Sequence, residues 1–299
     1  MSHGFARQGL TAPPLSGGGA WSRPDDWLAL TTPDISEQKI VALHAVLPGS
    51  NFVAFTITAA FTVDWGDGTA PENFASGATA YRNLAWADYG SDTLTSRGFR
   101  QAVITITPQS GQNITSWNFY VKHNQAGLVN GYSTGWLDVR LSTPNVTAVT
   151  WGANGSTVVH RWLEQFVWVG ANSITTFSYM FSGCASLQSV SLDTSSGTNF
   201  YQMFYGCASL QSVSLDTSSG TTFSNMFSSC GSLQSVVLTG CKYTVSVASA
   251  VLGAAALDAL YTSLGTAAGA QTITVTGNHG TTGDNPTIAT AKGWTVTGS

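Results

Sequence analysis

Apolar positions return along this chain with a period that belongs neither to a helix nor to a single strand. From Phe177 to Leu238 they recur at an offset of 23: Phe177, Phe200 and Phe223; Met180, Met203 and Met226; Cys184, Cys207 and Cys230. Gly183–Thr198 and Gly206–Thr221 both read GCASLQSVSLDTSSGT, and a third, diverged copy runs from Cys230 to Leu238. Inside each repeat an L-x-x-V-x-L core alternates as a strand does, so Val190 and Leu192 face inward and Leu187 enters from the bend before them. The Met-Phe pair, Phe177 and Cys184 fill the rest of the cross-section, while Gln188 and Ser191 face out. A single coil buries too little to offset the entropy of ordering its backbone. The coils are therefore predicted to stack at about 4.8 Å as parallel strands of a leucine-rich solenoid, with ends that need capping.

Other patterns flank this one. Lys39–Leu47 and Phe52–Thr69 read as strands, the second with Val53, Phe55, Ile57 and Ala59 alternating with Ala54, Thr56, Thr58 and Ala60. Ala102–Thr107 is another strand, and NFYVKH (Asn118–His123) is expected to be the last of this group. Val139–Leu141, Val146–Trp151 and Phe166–Val169 look like irregular early coils, because Val167 precedes Val190 by 23 and Val169 precedes Leu192 by 23. Beyond Cys241 the period changes. Leu252, Ala256, Leu257, Leu260 and Leu264 have helical spacing, with Gly265 as a stop. Gln271–Asn278 is a strand, Pro286 starts a short helix and Trp294–Ser299 ends the chain as a strand, so strand, helix and strand can close a solenoid end.

The M-F-x-x-C-x-S-L-x-x-V-x-L run at Met180–Leu192 and Met203–Leu215 resembles the bacterial-surface leucine-rich repeats called BspA-like. The turn Trp65–Gly68 (WGDG) resembles that of PKD-like immunoglobulin-type domains, with Ala102–Thr107 where such a domain has a later strand. Arg23–Leu28 (RPDDWL), the VDWGDGT run and the C-terminal A-x-x-x-G-W-T-V-T-G together resemble a layout of bacteriophage virion proteins. These resemblances imply a tail fibre, baseplate or head-surface protein. The expected fold is mainly β: an extended arm (residues 1–25), a PKD-like sandwich (26–130), and a leucine-rich solenoid with a small α/β cap (131–299).

Composition narrows the function. Only 9% of the residues are charged, against about 25% in ordinary soluble domains, so the chain looks like a polar, β-rich extracellular or virion protein. A net charge of −4 and 11 scattered basic residues give no electrostatic footprint for nucleic acid. No apolar run reaches the roughly 18–20 residues of a membrane span; the Ala-rich Val247–Leu264 contains Asp258. The arm combines Pro13 and Pro14 with a Gly-rich run, and is expected either to stay disordered or to order against a neighbouring subunit. It lacks the apolar core of a secretory signal. Either a signal has been removed, or the protein assembles in the host cytoplasm as part of a virion released by lysis.

Candidate chemistry is sparse. The four cysteines, three at one phase of the coil, read as a buried column rather than a zinc set, since no C-x-x-C or histidine spacing accompanies them. Asp64, Gly66, Asp67 and Gly68 make a sharp structural turn; two carboxylates are too few for calcium. Asp193 and Asp216 cap equivalent turns, with a cation or glycan contact as the alternative. His160 and Glu164 would share a helix face, read as a structural pair. No metal, cofactor or catalytic constellation is expected, and the protein is read as no enzyme. Binding candidates are surface rows: Gln188, Gln211 and Gln234, with Ser191 and Ser214 beside them. Tyr201 and Tyr205 interrupt positions that are Ser178 and Ser224, and Ser182 and Ser228, in the other coils. Plain solvation of these rows is the other reading.

The functional expectation is a non-enzymatic, adhesive component of a bacteriophage virion, a tail fibre or receptor-binding protein. Its arm and sandwich would hold other virion proteins and its solenoid a host-surface glycan or protein, in a homo-oligomer. A capsid decoration protein and a bacterial cell-surface adhesin are the alternatives.

Overall fold

The computed structural model describes residues 21–49, 51–123, 132–152 and 160–299. Among the described residues up to 123, seven strands form: β1 (Lys39–Val46), β2 (Phe52–Ile57), β3 (Phe61–Asp64), β4 (Glu72–Phe74), β5 (Thr79–Asn83), β6 (Arg100–Pro108) and β7 (Ser116–Asn118). β1, β6, β3 and β4 pair antiparallel in one layer, and β5, β2 and β7 in another. Alternation decides what lies between the layers: Val53, Phe55 and Ile57 of β2 meet Phe61 and Val63 of β3 and Ile104 and Ile106 of β6, all buried. Phe55 stacks against Phe119 at 5.2 Å and lies 5.9 Å from Trp65.

Both layers continue into the coils. β8 (Trp136–Ser142) joins the free side of β1 antiparallel, and β9 (Ala148–Thr150) joins β7 parallel. β10 (Gln165–Trp168) and β11 (Ser189–Ser191) then add to β8 in parallel, giving one sheet of order β11-β10-β8-β1-β6-β3-β4. The first coil thus grows directly on the sandwich, across the boundary expected near residue 130. An aromatic cluster fills the junction: Trp117 lies 5.6 Å from Trp168 and 6.2 Å from Trp151, and Trp151 lies 5.5 Å from Phe166.

Two sequence expectations need correction here. Phe166, not Val167, pairs with Val190. A one-residue shift exchanges the two faces of a strand, so the large Phe166 and Trp168 are buried and Val167 and Val169 are not. Phe166 meets Trp117 at 6.5 Å and Trp151 at 5.5 Å in the aromatic junction. The strand expected at Asn118–His123 is shorter and earlier, β7 at Ser116–Asn118, followed by a lone bridge between Lys122 and Tyr132.

The outer face of the large sheet is covered as well. Val41, Leu43 and Ala45, on the opposite side of β1 from Ile40 and Ala42, pack under Trp27, Leu30 and Phe99. This double burial explains why β1 reads as an unbroken apolar run. Residues 21–25 fall in the expected arm, yet Arg23 is anchored: its Nε donates to the buried carboxylate of Asp138 at 2.8 Å, which Arg140 also reaches at 3.1 Å. The first twenty residues of the arm lie outside the described residues.

Beyond β11 come β12 (Ser212–Asp216) and β13 (Ser235–Thr239), parallel and offset by 23, so that Val213 pairs with Val236 and Leu215 with Leu238. The next layer on this side is a helix, α1 (Ala254–Ser263), which packs on β13 through Leu257 and Leu260. Another side of the coil is held by bridges Thr176–Asn199–Thr222. A separate parallel sheet follows, made of β14 (Val245–Ser246), β15 (Gln271–Thr274) and, after α2 (Thr287–Thr290), β16 (Trp294–Thr297). Gln271 pairs with Trp294, again 23 apart, so the cap keeps the winding while a helix replaces a strand. Lys292 donates through Nζ to the carbonyls of Tyr261, Thr262 and Leu264, closing the C-terminus of α1. The chain is a mainly β protein built around a parallel solenoid.

Candidate functional site

The repeated coils stack most regularly at the turns Phe177–Gly183, Phe200–Gly206 and Phe223–Ser229. Every second backbone N–H reaches the next coil: Phe177 to Asn199 at 2.8 Å, Tyr179 to Tyr201 at 3.0 Å, Phe181 to Met203 at 2.8 Å and Gly183 to Tyr205 at 2.7 Å. The pattern repeats one coil on, from Phe200 to Thr222, Gln202 to Ser224, Phe204 to Met226 and Gly206 to Ser228. Beneath run two phenyl ladders. Phe177, Phe200 and Phe223 stack at 5.5 and 5.3 Å, and Phe181, Phe204 and Phe227 at 5.5 and 5.8 Å, the rings within 13° of parallel.

The cysteines sit in the same interior. Cys207 and Cys230 donate Sγ–H to the Phe181 and Phe204 carbonyls, both at 3.1 Å. Burial pushes the thiols of Cys184 and Cys230 up to about 12 and that of Cys241 to about 11, which makes all of these cysteines poor nucleophiles. Leu187, Leu210 and Leu233 are fully buried beside them.

On this frame the outward side chains fall into columns. Gln188 and Gln211 are half-buried and linked by a side-chain bond of 3.5 Å; Gln234 is exposed, as are Ser191 and Ser214 on the strands. Tyr201 and Tyr205 are on the turn segment. Tyr201 is half-buried, with Asn199 Oδ1 accepting its N–H at 3.0 Å, and Tyr205 is 42% exposed. The structure therefore places the glutamine and serine row on one segment of the coil and the tyrosines on another. Sequence reading overlooked Tyr179, whose ring meets Tyr201 edge to face at 5.2 Å. The signal was present, since Tyr179 precedes Gln202 and Asn225 by one and two periods.

The acidic turns are tied up locally. Asp193 and Asp216 each accept a backbone N–H two residues on, from Ser195 and Ser218, at 2.9 Å. Asp64 accepts the Gly66 N–H at 2.9 Å, and Asp67 accepts both the N–H and the hydroxyl of Thr69 at 3.0 and 2.6 Å. The other Asp67 oxygen meets Arg82 at 2.5 Å, and Arg82 also holds Glu72. Burial works against the charge on Asp67, but the Thr69 hydrogen bonds and Arg82 draw its carboxyl below the ordinary range. Gly66, at φ 70, lies so near the next strand that a Cβ would be 2.4 Å from the Val103 carbonyl oxygen. Among the described residues no group of three or more His, Cys, Asp or Glu is arranged to hold a metal ion.

His160 and Glu164 do not share a helix. A turn joins them, Leu163 donating to the His160 carbonyl at 3.1 Å, and Glu164 pairs with Arg97. His160 is buried 4.5 Å from Trp151, and burial drives its imidazole down to about 3. His44, edge to face with Trp136 at 5.0 Å, is driven down to about 4 by the same cause. A cavity of about 170 Å³ opens beside His44, lined also by Asn51, Phe52, Tyr132 and Trp162, and among the described residues no carboxylate side chain lines it.

A family profile described as BspA type leucine-rich repeat region matches residues 168–248 in six copies. That span is about a quarter of the chain and contains the whole regular array of turns. Searches of curated proteins and of solved structures found no match. The repeats are thus of BspA type, a kind associated with surface binding, and no helix among the described residues is long and apolar enough to cross a membrane.

Proposed function

We propose that the protein is a non-enzymatic adhesive component of a bacteriophage virion, a tail fibre or receptor-binding protein. It is assembled in the host cytoplasm as a homo-oligomer. The arm and the sandwich, read as PKD-like from the Trp65–Gly68 turn, hold other virion proteins. The BspA-type solenoid presents its outward columns to a glycan or protein of the host surface. One observation carries the adhesive part: hydrogen-bonded turns over stacked phenyl ladders hold tyrosines and amides outward on a rigid backbone. Side chains on such a frame lose little further entropy when a partner docks. The virion part rests on the resemblance of RPDDWL, VDWGDGT and the C-terminal run to virion proteins, together with the low charge.

The family match favours a second reading, a bacterial cell-surface adhesin. Gold-labelled antibody against residues 177–238 separates the two. Label on purified particles, with free protein slowing their adsorption to host cells, is the expected result. Label confined to the envelope of uninfected bacteria would transfer the protein to the second reading.

A further inference from the structure

The turn side of the coils holds side chains where the backbone favours none. Tyr179, Gln202 and Asn225 stand one above another at φ 60, 51 and 55. This left-handed region is open to glycine, tolerable for asparagine and unfavourable for bulkier L-residues. Four residues further on, each turn needs a second left-handed residue, and there the chain uses Gly183 and Gly206 in two coils and Ser229, at φ 63, in the third. Glycine is thus accepted by this turn at one position and refused at the other. Backbone strain retained where a cheaper residue would fold as well marks a site where the side chain itself is wanted.

The surroundings say what that side chain meets. Tyr179 and Tyr201 join edge to face at 5.2 Å, and Tyr205 stands exposed on the same turn as Gln202. The positions equivalent to Tyr201 and Tyr205 in the other coils are serines, so these two rings rise above small neighbours. None of the three turns, 177–183, 200–206 and 223–229, carries a charged residue. Phenol faces, phenol hydroxyls and two carboxamides make a neutral surface that offers apolar faces together with paired donors and acceptors. A pyranose presents the same pairing, C–H groups on its faces and hydroxyls round its edge. Nucleic acid or an acidic peptide would find no counter-charge here. A protein partner would want about 800 Å² with a buried apolar centre, whereas Tyr205 is the one exposed large apolar side chain among the described solenoid residues.

We propose that the turn side centred on Tyr179, Tyr201, Gln202 and Tyr205 is a binding subsite for neutral saccharide, and that the glutamine and serine row of the strands is not. This rests on the adhesive reading above and names its ligand class.

The test uses the full chain on a panel of immobilised neutral bacterial polysaccharides and O-antigen chains, alongside sedimentation with whole bacteria. Tyr201→Ser and Tyr205→Ser restore residues that neighbouring coils already carry, so folding is expected to survive, and melting curves check it. Each should lower affinity for a bound polysaccharide at least tenfold. Gln202→Gly should raise the melting temperature and still weaken binding several-fold, whereas Gln234→Ala should leave affinity unchanged. Unchanged affinity in Tyr201→Ser and Tyr205→Ser overturns the proposal. Adhesion to bacteria that is lost on protease treatment but survives periodate overturns it too, leaving the adhesive reading in place. Self-association removed by Tyr205→Ser would assign the face to a second copy instead. Absence of binding to both polysaccharides and cells would sink the proposal and the adhesive reading together.

Discussion

Two stretches of this chain, Gly183–Thr198 and Gly206–Thr221, have the same sixteen-letter sequence and do not have the same structure. In the first copy the strand is three residues long and Val190 and Leu192 are half-buried; in the second it is five residues long and Val213 and Leu215 are buried. Their Asp turns are alike, with the same 2.9 Å bond from Ser195 or Ser218. The neighbours differ. β11 is the last strand of the sheet that begins in the sandwich, and pairs with β10 at an offset of 24, Phe166 with Val190. β12 pairs with β13 at an offset of 23, and the ladder is interrupted between β11 and β12. There the coils are joined by side chains, Thr194 donating to the Asp216 carbonyl at 2.7 Å, and by the unbroken bonds of the turns. A strand follows the twist of the sheet it belongs to, so the first copy follows the sandwich and the second the solenoid. Identical residues make identical turns, because turns close locally, and different strands, because pairing is not local.

Acid should separate the copies most. His44 and His160 are held neutral by burial, far below the ordinary value of 6.5, whereas the unfolded chain takes up protons there. Stability is therefore whole above about 6.5 and is lost as pH falls toward about 4 for His44 and about 3 for His160, with a loss on the order of 3 kcal/mol for His44 and about 5 kcal/mol for His160. Trp151 packs on His160 and lies by Cys184 of the first copy, whereas the second copy is one coil further from His160. Amide exchange followed across this range should show protection falling at Ser189–Ser191 before Ser212–Asp216; simultaneous loss would break the comparison.

Leucine truncation is the next largest effect. Leu215→Ala should destabilise by about 3 kcal/mol in urea titration and Leu192→Ala by about half as much, because the latter is already partly in solvent. Equal costs would show that the interruption of the ladder has no energetic consequence.

Gly197→Ala and Gly220→Ala should instead agree. A Cβ would come within 2.5 Å of Phe200 Cζ in one case and 2.3 Å of Phe223 Cζ in the other, so each should cost about 1–3 kcal/mol by overpacking the phenyl ladder. Thermal melts of the two variants should differ by less than the leucine pair does.

The smallest effect lies in the third coil. Ser229, at φ 63, occupies the left-handed place that Gly183 and Gly206 fill in the others. Ser229→Gly should stabilise by about 0.5–1 kcal/mol, the relief of strain less the added freedom of the unfolded chain. A lower melting temperature would mean that the Ser229 side chain contributes something the backbone angle conceals.

Much of the solenoid was open to inference from residues alone. Phe177, Met180, Cys184 and Leu187 recur at a fixed offset, and a period constrains every member at once. The helix at Ala254–Ser263 shows in the spacing of Leu257, Leu260 and Leu264, whereas its end is closed by Leu264 as the cap and by Lys292 rather than by a left-handed Gly265. The register of β10 did not show, because Val167 and Phe166 are equally good strand residues and only packing against Trp117 and Trp151 at the aromatic junction separates them. Nor did the grip of Arg23 on Asp138, which lies 115 residues away. Among the candidate binding residues, the tyrosines stood out as breaks in a repeat, but the left-handed column of Tyr179, Gln202 and Asn225 is a property of backbone angles.

By itself, then, the sequence determined the repeat, the residues that fill each coil and the local turns, since these depend on side chains a few positions apart and on copies that confirm one another. The tertiary structure alone decided where the sandwich sheet ends and the solenoid begins, which face of β10 looks inward, and that two identical segments pair differently. The physical reason is that a strand's hydrogen-bonding edge carries no side-chain signature. Its partner is settled by what the rest of the chain has already placed beside it.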